Sequence, residues 1–193
     1  MRSIGDMFLY GSIVYGFTMF LDHDIRSDAG KVGLMYMQTL LLAASSYTLV
    51  AGNVNKLRPY AYNMDSLTVN GVKEPEVSMD KRVSAHAQSS FYGGHPSIPA
   101  ATGFFVASVY SAYHPHAPFR FVLYGIATAS TLATAYCRYE GGNHFPTDLM
   151  IGVGLGTAYG ILIPKLHQCK GETKLKISPV TGSANGFNLN YTF

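Results

Sequence analysis

The stretch CRYEGGNHFPTDLMIG, residues 137 to 152, places an arginine, a histidine and an aspartate just ahead of an apolar segment. His144 and Asp148 are four residues apart, so on a helix their side chains would share a face. A carboxylate bonded to one ring nitrogen fixes the tautomer of an imidazole and leaves the other nitrogen as a nucleophile. Arg138 offers a planar fork of donors that fits phosphate oxygens. The stretch is therefore typical either of a site that attacks and holds a phosphate or of a helix cap with a solvated arginine.

A second histidine, His95, follows two glycines in the segment SSFYGGHPSIPAATGFF. Consecutive glycines before a helix expose backbone N–H groups, so Gly93 and Gly94 form a candidate anion-binding turn. From this position His95 is a candidate general acid that protonates a leaving oxygen. Taken alone, the segment is more typical of an ordinary turn with a surface histidine.

Two cations, Lys56 and Arg58, follow the long apolar segment 32–52. Cations at the end of a helix complement its dipole, so a solvated helix end is the alternative interpretation. Each of the three groups, however, lies at an end of an apolar segment. Antiparallel packing of the helices would bring these ends to one side of a bundle. Phosphoryl transfer through a histidine requires such a set of groups at one end of the bundle: two histidines, two arginines and a glycine-rich turn.

The composition predicts the elements that would position these groups. Hydrophobic residues make up 48% of the 193 residues and charged residues only 13%, against roughly 25% charged in ordinary soluble domains. Apolar segments rich in small residues predict an all-α helical bundle, and they run approximately over 7–21, 32–52, 97–113, 120–137 and 148–164. The net charge of +3 is small and scattered, so we predict no nucleic-acid partner. No cysteine or histidine spacing indicates a metal site, and we predict no metal and no cofactor.

The low charge content leaves membrane association open. A spanning helix needs about 20 apolar residues, whereas most segments here offer roughly 15 to 17 between charges. We therefore favour a globular domain in a bacterial-type periplasm or cell envelope, with an integral inner-membrane protein as the alternative. The run 7–21 imitates a secretory signal, but Asp6 interrupts its start and LDHDIR follows it. We interpret it as the first helix of the domain.

The end of the chain differs from the rest. Apolar residues alternate with polar ones in FNLNYTF, which is the periodicity of a strand. This pattern predicts a short extended tail or β ribbon. We divide the chain into a helical domain, 1–165, and a C-terminal tail, 166–193, packed on the same domain.

The segment CRYEGGNHFPTD resembles the third motif of the type 2 phosphatidic acid phosphatase superfamily, which also includes vanadium haloperoxidases. That motif is usually Ser-Arg, five residues, His, three residues, Asp. Arg138, His144 and Asp148 match it, with Cys137 in the serine position. The resemblance implies an all-α helical bundle of this superfamily's kind.

The other two motifs of the superfamily are matched in order but incompletely. The second is usually Pro-Ser-Gly-His; here YGGH keeps Gly94 and His95 and has Gly93 in the serine position. The first is Lys, six residues, Arg-Pro; here Arg58 precedes a proline, but Ala51 occupies the lysine position.

The resemblance implies a role for each matched residue. His144 would attack phosphorus to give a phosphohistidine, with Asp148 orienting the imidazole. His95 would protonate the leaving alkoxide and later activate water. Arg58 and Arg138 would hold the equatorial oxygens. The implied reaction needs no metal.

Three further residues complete the predicted phosphate site. Gly93 and Gly94 would contribute backbone N–H groups, and Lys56 is a hypothetical substitute for the lysine that is missing at Ala51. The implied partner is a phosphorylated small molecule or lipid, and the implied activity is hydrolysis of a phosphomonoester or a lipid-linked (pyro)phosphate. A vanadate-dependent haloperoxidase and a non-catalytic homologue that binds phosphate or a lipid head group are the alternatives.

Overall fold

A computed structural model describes residues 2–69, 72–75, 77–168, 175–180 and 186–191. Within these residues the α-helices are α1 (Arg2–Gly16), α2 (His23–Ser27), α3 (Ala29–Asn53), α4 (Met79–Val83), α5 (Gly94–Tyr113), α6 (Phe119–Glu140) and α7 (Pro146–His167). Short 3-10 helices cover Phe17–Leu21 and Pro59–Tyr62. The prediction of an all-α fold is confirmed, because each of the five apolar segments is helical.

Two short antiparallel hairpins accompany the helices. The first pairs β1 (Ser66–Val69) with β2 (Val72–Pro75) and lies in the polar connection between α3 and α5. The second pairs β3 (Leu175–Val180) with β4 (Gly186–Tyr191) and forms the predicted extended tail. Helix α7 continues to His167, two residues past the predicted end of the helical domain, and the division into domain and tail stays a prediction.

Helix α5 is the central element of the bundle, because α1, α3, α6 and α7 all pack against it. Its own residues are mostly small and buried, including Ala100, Ala101 and Gly103. Larger side chains fill the core towards the other end of α5, where Phe105 packs on Tyr36 with 5.3 Å between ring centroids. Small residues near the start of α5 therefore let its neighbours approach closely at that end.

Helices α5 and α7 run parallel and almost touch through a glycine stripe on α7. A Cβ atom at Gly152 would lie 2.1 Å from the carbonyl oxygen of Gly93. At Gly156 it would lie 2.2 Å from the carbonyl oxygen of Ser97, and at Gly160 it would lie 2.5 Å from that of Ala101. Glycine spaced four residues apart is a known way to bring two helix backbones together. The contact fixes the N-terminal ends of α5 and α7 side by side, and these ends carry the two histidines of the predicted site.

In the part of the chain that the structure describes, three helical stretches are long and apolar enough to cross a membrane: Ile4–Leu21, Ala29–Asn53 and Pro146–His167. Only 22%, 17% and 33% of these stretches are buried, respectively, so their apolar side chains mostly face outward. The most exposed include Leu21, Leu34, Leu49, Met150 and Leu166. The lengths of 15 to 17 residues predicted from the sequence were wrong for the first and third stretches, because helical structure continues through the charged residues Asp6, Asp148 and Lys165.

Candidate active site

The structure brings the predicted histidines and arginines to one end of the bundle. Arg58 follows α3, His95 lies in the first turn of α5, Arg138 lies in the last turn of α6, and His144 precedes α7 by two residues. The ring centroids of His95 and His144 are 6.5 Å apart. The helix ends therefore converge as the sequence predicted.

The imidazole of His144 has one ring nitrogen in a hydrogen bond, while the other nitrogen has no partner among the described residues. Its side chain is 1% exposed, and its Nδ1 lies 2.6 Å from the carbonyl oxygen of Ser90. Because a carbonyl only accepts, Nδ1 donates and a neutral ring keeps its lone pair on Nε2. That Nε2 is buried and has no hydrogen-bond partner among the residues that the structure describes. Burial, together with the positive charge of Arg58, lowers the pKa of His144 to about 3, which keeps the ring neutral at neutral pH.

Asp148 is fully buried and is bound by three donors. Lys56 Nζ lies 2.5 Å from its Oδ1, Ser90 Oγ donates to its Oδ2 at 2.6 Å, and the Phe145 N–H donates to the same oxygen at 3.3 Å. The last contact caps the first turn of α7. Asp148 thus ties the start of α7 to the segment that contains Ser90.

The predicted contact between Asp148 and His144 is wrong, since the imidazole is oriented by Ser90 instead. The prediction placed both residues on one helical face, but α7 begins at Pro146 and His144 lies before it. Ser90 connects the two residues: its carbonyl accepts from the ring and its hydroxyl donates to the carboxylate. The structural link between Asp148 and His144 therefore runs through Ser90.

Lys56 forms an ion pair with the buried carboxylate of Asp148. Besides this contact, its Nζ lies over the rings of Phe145 and Phe91, at 4.9 and 5.7 Å from their centroids. The ion pair neutralises Asp148, and the substitution of Lys56 for the missing lysine in phosphate binding stays a hypothesis. Ala51 lines a cavity of about 380 Å³ next to Ser89.

We expect Lys56→Met to lower the free energy of unfolding by about 2 to 4 kcal/mol, because it leaves the buried Asp148 carboxylate without its cation. Denaturant unfolding of the purified protein measures this loss. The matched control is Lys31→Met, which removes the cation of the exposed pair with Asp28. That control should cost less than about 1 kcal/mol. Equal losses in the two variants would contradict the assignment.

Arg58 is held by backbone oxygens. Its side chain is 1% exposed, its Nε donates to the His86 carbonyl at 2.9 Å, and its Nη2 donates to the Ser89 carbonyl at 3.2 Å. The positive charge of Arg58 acts on the nearby ring of His144, where it helps to lower the pKa of the imidazole.

Arg138 and His95 share a carboxylate, Asp6, whose role in the site the sequence did not predict. Arg138 Nη2 donates to Asp6 Oδ1, and His95 Nε2 lies 3.4 Å from the same oxygen. Burial, followed by the charge of Arg138, lowers the pKa of His95 to about 4, while Asp6 acts in the opposite direction. Asp6 had been interpreted only as an interruption of an apolar run. Nothing in the local sequence could reveal a contact that spans 132 residues.

The two glycines of the second motif lie in close packing around the start of α5. The Gly93 N–H donates to the Asp148 carbonyl at 2.8 Å, so the N–H predicted for phosphate at this position is already used. A Cβ atom at Gly94 would lie 2.6 Å from the ring of Tyr47. The anion contact of the Gly94 N–H stays a prediction.

Among the described residues, one group of side chains outside this site could hold a metal ion. Asp22, Asp24 and His114 lie together near the other end of α1. Both oxygens of Asp22 are already used, since Oδ1 caps α2 and Oδ2 lies 3.0 Å from His114 Nε2. These contacts account for the cluster as a helix cap with an ion pair.

Comparison with protein-family models matches residues 32–172 to the PAP2 superfamily. This match covers more than two thirds of the chain and includes Arg58, His95, Arg138, His144 and Asp148. Searches of curated proteins and of solved structures found no match. The family match and the convergence of the motif residues at one end of the bundle agree, and the chain belongs to the PAP2 superfamily.

Proposed function

We propose that this chain is a phosphoric ester hydrolase that cleaves a phosphomonoester or a lipid-linked (pyro)phosphate through a phosphohistidine at His144. Membership in the PAP2 superfamily supports phosphatase activity at the level of the class. The observation that carries the finer proposal is the buried Nε2 of His144, which lacks a partner in the described part of the chain. A buried lone pair that nothing uses is costly, so its presence favours a reaction at that atom.

The proposed reaction has two steps. In the first, His144 Nε2 attacks phosphorus, the bond from phosphorus to the leaving oxygen breaks, and protonated His95 gives its proton to that oxygen. In the second, neutral His95 takes a proton from water, the resulting hydroxide attacks phosphorus, and the P–N bond breaks to release phosphate. Arg58 and Arg138 stabilise the charge on the equatorial oxygens in both steps. No step requires a metal.

The outward-facing apolar helices favour a lipid-linked substrate. Three stretches are apolar and long enough to cross a membrane within the described residues: α1 with the 3-10 helix that follows it, α3, and α7. Apolar area of this extent on the surface is typical of a membrane contact. We infer that the protein works in the cell envelope, in or on the membrane, with the mouth of the site at the helix ends.

We expect kcat/KM for an alkyl phosphate to follow a bell-shaped pH profile with its optimum in acid. The nucleophile must be neutral and the general acid protonated, and the pKa values of His144 and His95 are lowered to about 3 and about 4. The value of kcat/KM should therefore rise through about pH 3 and fall about tenfold per unit above about pH 4. Initial rates across a pH series measure it.

A substrate with a better leaving group provides the control for this profile. A nitrophenyl phosphate needs less protonation of its leaving oxygen, so its decline above pH 4 should be shallower. A flat profile for the alkyl phosphate between pH 4 and 7 would contradict the role of His95.

The free energy of unfolding should also fall as the pH falls from 6.5 towards 4, because the unfolded histidines bind protons that the folded ones do not.

A phosphate-release screen tests the proposed function. Purified protein in detergent or vesicles is given lipid phosphates, isoprenoid pyrophosphates and soluble phosphoesters, with His144→Ala as the control. Release by the wild type alone supports the proposal. Binding of phosphate without release by either protein would favour a non-catalytic homologue, a candidate suggested by Ala51 in the lysine position of the first motif.

A further inference from the structure

Asp6 occupies the side of the site where Arg138 and His95 meet. Its Oδ1 accepts a hydrogen bond from Arg138 Nη2 and lies 3.4 Å from His95 Nε2. In the proposed reaction these two groups face the phosphate and its leaving oxygen. Asp6 lies before residues 32–172, the part of the chain that matches the PAP2 superfamily. The carboxylate is thus a feature of α1 that the family match does not cover.

The start of α1 is shaped to receive the guanidinium of Arg138. A Cβ atom at Gly5 would lie 2.9 Å from Arg138 Nε, so only a glycine lets the guanidinium lie so close to this turn. Helix α1 packs against both α5 and α6, which carry His95 and Arg138. The position of Asp6 therefore follows from the packing of α1 and not from a chance surface contact.

Burial differs sharply between the two partners of this ion pair. The side chain of Arg138 is 5% exposed and that of Asp6 is 47% exposed. The carboxylate has solvent into which it can rotate, whereas the guanidinium is enclosed by the bundle. If the pair opens, Asp6 moves and Arg138 stays in the site.

Asp6 binds one nitrogen of the Arg138 guanidinium, and a second nitrogen has no partner in the described part of the chain. Its Nη2 binds Asp6, while its buried Nε has no hydrogen-bond partner in residues 2–69, 72–75, 77–168, 175–180 and 186–191. A phosphate typically takes two parallel N–H donors from one arginine. Two anions cannot share this fork without strong repulsion, because like charges a few ångströms apart disfavour each other.

We propose that the Asp6 carboxylate is an internal anion that takes the place of one phosphate oxygen on Arg138 and His95, and that it rotates into solvent when phosphate binds. The inference rests on the proposed function for the identity of the anion. It follows that inorganic phosphate, which gains nothing beyond these contacts, binds weakly and leaves readily. A substrate with an apolar chain has additional binding energy to displace the carboxylate.

The test is the affinity of the purified protein for inorganic phosphate, measured by titration calorimetry at neutral pH. Asp6→Asn keeps an oxygen that accepts from Arg138 but removes the charge, and Asp6→Ala removes both. We expect both variants to bind phosphate about tenfold more tightly than the wild type, as expected for removing one like charge near a bound anion. The matched control, Asp24→Asn on α2, removes an exposed acid that lies beside His114, at the opposite end of α5 from His95, and should leave the affinity unchanged.

Unchanged or weaker binding in both variants would overturn the proposal. Weaker binding in Asp6→Ala with wild-type affinity in Asp6→Asn would also overturn it, because it would mean that Asp6 only positions Arg138. The melting temperature of each variant checks that the fold is retained. Because the measured quantity is the affinity for phosphate and not turnover, the experiment tests this proposal separately from the proposed phosphatase activity. Tighter binding by the variants of a protein that hydrolyses nothing would refute the proposed function and support this inference.

Discussion

Replacing His144 with alanine is expected to lower kcat by about a thousandfold or more while the protein stays folded. The imidazole provides the Nε2 that attacks phosphorus, and no other ring nitrogen is held at that position with its second nitrogen fixed by Ser90 among the described residues. Kinetics on the best substrate of the screen measure the loss. Trapping of the covalent intermediate gives independent evidence, since a P–N bond survives base and is cleaved by acid.

The control for this variant is His167→Ala. His167 also has its Nδ1 on a backbone carbonyl, that of Ile163 at 2.9 Å, but it lies at the opposite end of α7. We expect this variant to keep the activity of the wild type and to form the trapped intermediate. Added imidazole should partly restore turnover to His144→Ala, because it can enter the space that the side chain leaves. Retention of more than about a tenth of kcat by His144→Ala would refute the mechanism.

The residues that carry the proposed chemistry were predictable, but their supports were not. Arg58, His95, Arg138 and His144 have side chains whose types and spacing indicate phosphate chemistry. Ser90 orients His144 through its backbone carbonyl, which every residue possesses and which therefore leaves no mark on the sequence. The assignment of that task to Asp148 failed because the helix begins two residues later than the spacing rule assumed.

The helices were predictable from their apolar composition, but their lengths were not. Charged residues predict the limits of apolar segments, yet Asp6 lies inside α1 and Asp148 inside α7. Both charges are paired across the bundle, with Arg138 and Lys56 respectively. A charge inside a helix is tolerated when a partner from another element neutralises it, and that partner is known only once the helices are packed.

The close contact of α5 and α7 makes a second strong prediction, on Gly152→Ala. A Cβ atom there would lie 2.1 Å from the carbonyl oxygen of Gly93. That oxygen belongs to the backbone, so α7 must move away from the start of α5. The displacement would strain the contact between the Gly93 N–H and the Asp148 carbonyl. We expect the free energy of unfolding to fall by about 2 to 4 kcal/mol.

The same displacement should lower activity beyond any loss of stability. His95 and His144 are carried by the two elements that Gly152 holds together, and reacting groups misplaced by about 1 Å can cost about a hundredfold in rate. The matched control is Gly154→Ala on the open face of α7, where a Cβ atom meets nothing within 4 Å. Alanine there should stabilise the helix by up to about 1 kcal/mol and leave kcat/KM unchanged. If Gly152→Ala and Gly154→Ala have the same free energy of unfolding and both keep full activity, the glycine contact does not position the site. Another feature must then bring the two histidines together.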